Sequence, residues 1–199
     1  MQTAFKKKYG YKEYYEALVL SYRSLFRLIG NRLKTKVDPK FLERLMLAVT
    51  EVNGCEVCSY AHTQMALKNG FTTEEIESFL QGSDAYVVPE EATAILFAQH
   101  YADSKGKPDR ETYEKLIREY GEGKSRIILS AIQVMMLGNI IGIPVSALRS
   151  RFRGKPYPNS SVFYEIGMQL WGLVFLPISL AHGFLRWICG KENIRFGRA

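Results

Sequence analysis

Apolar residues recur at intervals of three and four along almost the whole chain, and that period restricts it to helices. From Lys12 to Leu33 the positions Tyr15, Leu18, Tyr22, Leu25, Phe26, Ile29 and Leu33 fall on one face, opposite a basic one. Asp38-Pro39 reads as an N-cap followed by a first-turn proline. The helix it opens buries Leu42, Leu45, Met46 and Val49 and should stop at Asn53-Gly54. A further helix starts at or near Cys55 and runs to Lys68, closed by Asn69-Gly70. Thr72 with Glu75 fits a capping box for the next. Pro89-Glu90-Glu91 opens another, and Lys107-Pro108-Asp109 precedes one with Tyr113, Leu116 and Ile117. Ser125 to Leu148 is a long apolar stretch, with a break expected near Gly142-Ile143-Pro144. No segment alternates as a strand would, so the expected fold class is all-α.

Four parts are expected: a basic amphipathic N-terminal helix (1–37), a helical core (38–150), a linker (151–160) and an apolar, basic-ended extension (161–199). In the extension, the twenty residues Ile166 to Leu185 contain no Asp, Glu, Lys or Arg, a length that could cross a bilayer. Gly167, Gln169, Gly172, Pro177, Ser179, His182 and Gly183 make it a poor spanning segment. Its expected roles are therefore, in order, packing inside an oligomer, contact with a membrane surface, and a true span.

Charge is segregated beneath the net +7. Residues 1–40 hold ten Lys/Arg against three Asp/Glu, residues 41–148 nine against fifteen, and residues 149–199 eight against two. Two basic ends flank an acidic middle, which reads first as basic arms packing on acidic cores, within or between subunits, and second as contact with an anionic membrane surface. No zinc-finger or RNA-recognition signature accompanies the basic ends, so no nucleic-acid partner is expected. The basic N-terminus is not followed by an apolar signal region, and the expected compartment is the cytoplasm, at most peripheral to a membrane. Three cysteines make a poor disulfide framework; in that setting Cys-x-x-Cys points to redox chemistry or metal binding.

The chemistry concentrates in Cys55-Glu56-Val57-Cys58-Ser59-Tyr60-Ala61-His62. Two thiols three residues apart can close a disulfide with little backbone movement, and His62 lies one turn beyond Cys58 on the same helical face. The stop at Asn53-Gly54 puts the cysteines in a first helical turn, where unpaired N–H groups and the helix dipole favour a thiolate. His62 can take or share the thiol proton. A second thiol can condense with a sulfenic acid formed on the first. Two other readings stay open on these residues. Cys55, Cys58 and His62 could ligate zinc, or the cysteines could be inert core residues in a non-enzymatic oligomeric or membrane-associated module.

With Glu43 twelve positions before Cys55, the segment Glu43 to His62 resembles the signature of the AhpD-like (alkyl hydroperoxidase D) branch of the carboxymuconolactone decarboxylase superfamily: a Glu, eleven residues, then Cys-x-x-Cys-x-x-x-His. The likeness continues through Ala66-Leu67-Lys68-Asn69-Gly70, Glu91 to Asp103 and Ala131 to Pro144, where Asn139 precedes a Gly-Ile, and covers about residues 38–148. It implies an AhpD-like helical core, a homo-oligomer (trimer or hexamer), and a thiol peroxidase or disulfide oxidoreductase without a bound organic cofactor. By the same resemblance Cys58 attacks the hydroperoxide or small disulfide substrate, Cys55 resolves, and His62 and Glu43 relay the proton; an external dithiol restores the pair. Read alone, Glu43 would be a solvated helix glutamate. Some relatives carry a second His just before the second Cys, where this chain has Val57, so the relay has one proton carrier fewer. The decarboxylase branch generally lacks the paired cysteines, so decarboxylation is not expected.

Overall fold

The computed structural model describes residues 4–197 and is all-helical, with no strand among the described residues. Seven helices follow in order: α1 (Tyr11–Lys34), α2 (Pro39–Asn53), α3 (Glu56–Lys68), α4 (Thr73–Leu80), α5 (Ala92–Asp103), α6 (Arg110–Phe152) and α7 (Val162–Ile188). A 3₁₀ turn, Pro89–Glu91, leads into α5.

Local chemistry sets most of the boundaries. The Asp38 carboxylate accepts from Lys40 N–H ahead of Pro39, and α2 ends where Gly54 takes a left-handed conformation (φ 66°) that glycine adopts without steric cost. Thr72 Oγ1 caps α4 by accepting from Glu75 N–H. Only half of the expected capping box forms, because the Glu75 carboxylate turns to Arg44 instead. Arg44 also grips Glu91 through two 2.6 Å hydrogen bonds, which ties α2 to the start of α5.

The expected break near Gly142–Pro144 is absent. α6 continues through Pro144, which is buried in a well-packed stretch where inter-helix contacts offset one missing backbone bond. The kink lies earlier, at Gly121 (φ 72°, ψ 157°).

α6 is the central element and packs against α1, α2, α3, α5 and α7. The core between α2, α5 and α6 contains Leu45, Val49, Ala98, Ile128 and Ile132, all fully buried. Both chain ends are stitched to this body. Lys6 and Lys7 pair with Glu51 and Asp103, and Tyr9 donates to Asn53 Oδ1 at 2.5 Å. After α7, Asn193 Nδ2 donates to the Leu20 carbonyl, to Ser24 Oγ and to Gln133 Oε1. The connection between α6 and α7 buries Tyr157, whose hydroxyl donates to Glu56 at the first turn of α3. Burial and the nearby Glu56 carboxylate push the Tyr157 phenol up to about 12.

Candidate active site

The stop at Gly54 turns the chain so that α3 folds back along α2. Cys55 is the N-cap of α3, and its sulfur accepts from Cys58 N–H at 3.3 Å. Cys55 and Cys58 are joined in a disulfide with their Cα atoms 5.2 Å apart, and the sulfurs carry no titratable proton in this state. The two thiols differ in access. Cys55 is fully buried, whereas Cys58 keeps 8% of its surface exposed. A reagent from solvent therefore meets Cys58 first. The hydrogen bond from Cys58 N–H acts the other way, because it stabilises negative charge on Cys55 once the disulfide opens.

Two elements built far apart in sequence complete the setting. Glu43, on α2, is nearly buried, and its Oε1 lies 2.7 Å from His62 Nδ1 on α3. The solvated glutamate expected from its local sequence is thus not what the fold makes of it. With Nδ1–H donating to the carboxylate, Nε2 is left as the acceptor nitrogen. His62 sits one turn beyond Cys58 on the same helix, and no hydrogen bond joins it to either sulfur among the described residues. The zinc alternative asked for Cys55, Cys58 and His62 together. Among the described residues no group of three such side chains converges, and the two sulfurs are bonded to each other.

α6 supplies the floor of the site, a contribution not assigned from sequence. Gly142 faces the disulfide so closely that a β-carbon there would lie 2.6 Å from both sulfurs. Ser146 Oγ accepts from Val57 N–H at 3.1 Å and donates to the Gly142 carbonyl at 2.9 Å, fixing the first turn of α3 on α6. The Gly138 carbonyl oxygen lies 3.6 Å from Cys58 Sγ, where it can accept the thiol proton in the reduced state. Asn139 is fully buried beside Thr50, and its Nδ2 has no partner among the described residues. The sequence signal for this floor was the pair Gly138 and Gly142, four residues apart on one helical face, which spacing alone does not connect to Cys55.

Gly142→Ala should make the disulfide easier to reduce. The added methyl presses on both bonded sulfurs, whereas free thiols can rotate away from it. Overpacking of this kind costs about 1–3 kcal/mol, which for a two-electron couple is a potential about 20–65 mV more oxidising. Equilibration against glutathione buffers measures it; an unchanged potential would mean that α6 yields and Gly142 is not needed for close approach.

Two clefts flank α3. One, of about 490 Å³, has Leu42, Met46 and Met65 on its walls together with Glu43. The other, of about 290 Å³, is lined by Val57, Tyr60, Ser146 and Arg149.

The family model for the carboxymuconolactone decarboxylase family matches residues 20–100, a stretch that contains Glu43, Cys55, Cys58 and His62. No curated protein and no solved structure matches the chain.

Proposed function

We propose that the chain is a dithiol peroxidase and disulfide oxidoreductase of the AhpD-like kind. The observation that carries this reading is the part-buried Glu43–His62 hydrogen bond one helical turn from a Cys55–Cys58 disulfide. A structural disulfide has no use for a histidine whose tautomer is set by a buried carboxylate, whereas a peroxide-cleaving thiolate does.

The cycle uses Cys58 as nucleophile and Cys55 as resolving thiol. The Cys58 thiolate attacks the distal oxygen of a hydroperoxide; an S–O bond forms, the O–O bond breaks, and sulfur is oxidised by two electrons. The leaving alkoxide takes a proton delivered by way of His62, which Glu43 orients through its hydrogen bond to Nδ1. The Cys55 thiol then attacks the Cys58 sulfenic acid, water leaves, and the disulfide forms. An external dithiol attacks the more accessible Cys58 sulfur, and a second exchange returns both cysteines to thiols while the carrier becomes a disulfide. No bound organic cofactor enters any step.

The test is a stoichiometric titration in a Cys189→Ser background, which removes the exposed third thiol. One equivalent of hydroperoxide should consume both remaining thiols and lower the mass by two hydrogens, with no cross-linked dimer. If hydroperoxide and small disulfides both leave the pair reduced for hours, the proposal fails.

A further inference from the structure

α7 is built inside out relative to a helix of a water-soluble protein. Its polar residues point inward. Glu165 is fully buried and paired with Arg151 at 2.8 Å, Gln169 Nε2 donates to the Ile141 carbonyl, and His182 Nδ1 meets the Tyr15 hydroxyl at 3.0 Å. Its glycines also point inward: a β-carbon on Gly172 would overlap the Tyr14 ring, and one on Gly183 would lie 2.8 Å from the Val19 carbonyl oxygen. Every exposed residue from Val162 to Leu185 is apolar. Phe163 is 89% exposed and Leu173 71% exposed, with Ile166, Leu170 and Phe184 on the same outward face. Soluble surfaces rarely leave an apolar band of this length uncovered. Small residues and polar groups at the helix–helix seam, with apolar side chains outward, is how helices pack when the outside is lipid.

The apolar band continues on α1. The face that α7 covers at Tyr11, Tyr15 and Tyr22 runs on at helical spacing through Phe26, Ile29 and Leu33, all exposed. Cations flank the band in sequence at each end, although Arg149 and Arg153 line the cleft beside α3. Arg149, Arg153 and Lys155 are exposed ahead of α7, and Lys191 follows it; none of the four makes an ion pair among the described residues. Arg32, Lys34 and Lys36 are exposed at the end of α1. Glu192, the acid nearest the C-terminal end, is engaged by Arg110 at 3.7 Å.

We propose that α7 and the end of α1 seat the protein on an anionic lipid surface. The apolar face enters the acyl boundary and the bordering Lys and Arg side chains meet lipid phosphates. Charge decides against the α7 of a second copy as the occupant. Pairing α7 with α7, parallel or antiparallel, sets one basic end against another, and the face itself offers no acid to relieve the repulsion. Charge also fixes the orientation. α1 lies alongside α7 and carries Lys12 (exposed) and Arg23, so the pair lies in the membrane plane and does not cross it. At 1.5 Å per residue, α7 presents about 40 Å of contact. The inference is independent of the redox reading.

Flotation of the full-length protein with vesicles tests it. The protein should rise with vesicles of phosphatidylcholine and phosphatidylglycerol in equal parts, with a blue shift of the exposed Trp187 emission. It should be largely released by high salt, which screens the cation–phosphate contacts, and should bind phosphatidylcholine alone weakly. The double variant Leu173→Glu, Val174→Glu should partition about a hundredfold less while keeping its helical signal and thiol count. Wild-type protein left at the bottom with anionic vesicles overturns the proposal, as does equal binding to neutral ones. Wild-type protein that sediments as an oligomer and becomes monomeric in the double variant assigns the face to a second copy, and the proposal falls.

Discussion

In the Cys189→Ser background, Cys58→Ser protein should consume no hydroperoxide and form no sulfenic acid, whereas Cys55→Ser protein should consume one equivalent and stop. The difference follows from access and geometry. Cys58 is the sulfur that solvent reaches, and it lies one turn from His62. Cys55 is fully buried and faces Gly142 of α6. Without Cys55 the sulfenic acid on Cys58 has no resolving partner and persists, so a carbon-acid reagent such as dimedone should label Cys55→Ser stoichiometrically and Cys58→Ser not at all. Both sulfurs belong to the buried core, but serine is close in size to cysteine, so both variants should keep their helical signal. The backbone hydrogen bond to Cys55 Sγ gives the experiment its edge. If anion stabilisation at the helix N-terminus outweighed access, the labelling pattern would reverse, and the assignment of Cys58 as attacker would be wrong.

The second large effect is expected at His62. His62→Gln should slow peroxide cleavage by about 10²–10⁴-fold, the usual contribution of a placed acid–base group. Glutamine can still donate to Glu43 through its amide, so the buried carboxylate is not stranded and the fold survives. What it cannot do is pass on a proton. The loss should therefore depend on the leaving group: large for an alkyl hydroperoxide, which expels a basic alkoxide, and small for a peracid, whose carboxylate leaves without protonation. Stopped-flow measurement of sulfenic acid formation with the two oxidants separates them. Equal losses with both would give His62 a merely structural role.

These two sites were legible in the sequence to different degrees. The cysteine pair and His62 share one helix, and their relation follows from its geometry alone, three and four residues apart. Glu43 was read as solvated on its local pattern and entered only through a family resemblance. Its burial comes from the turn at Gly54, which brings together residues nineteen positions apart. Gly142 and Ser146 are more distant still, and nothing in their spacing pointed to the disulfide they support. The break expected at Pro144 shows the same limit from the other side: local propensity disfavours helix there, and packing around α6 overrides it.

The sequence by itself determined what depends on contacts within one or two helical turns. That covers the all-helical class, the caps at Asp38 and Thr72, the stop at Gly54, and a thiol pair able to close at a helix N-terminus. Tertiary structure alone decided which side chains from separate helices meet and which are left outside: Glu43 against His62, Gly142 under the sulfurs, Glu165 turned inward to Arg151, and the apolar face of α7 turned outward. The physical reason is range. A helix's hydrogen bonds close over four residues and are written in its immediate sequence, whereas contacts between helices depend on how whole surfaces fit, which no short window of residues contains.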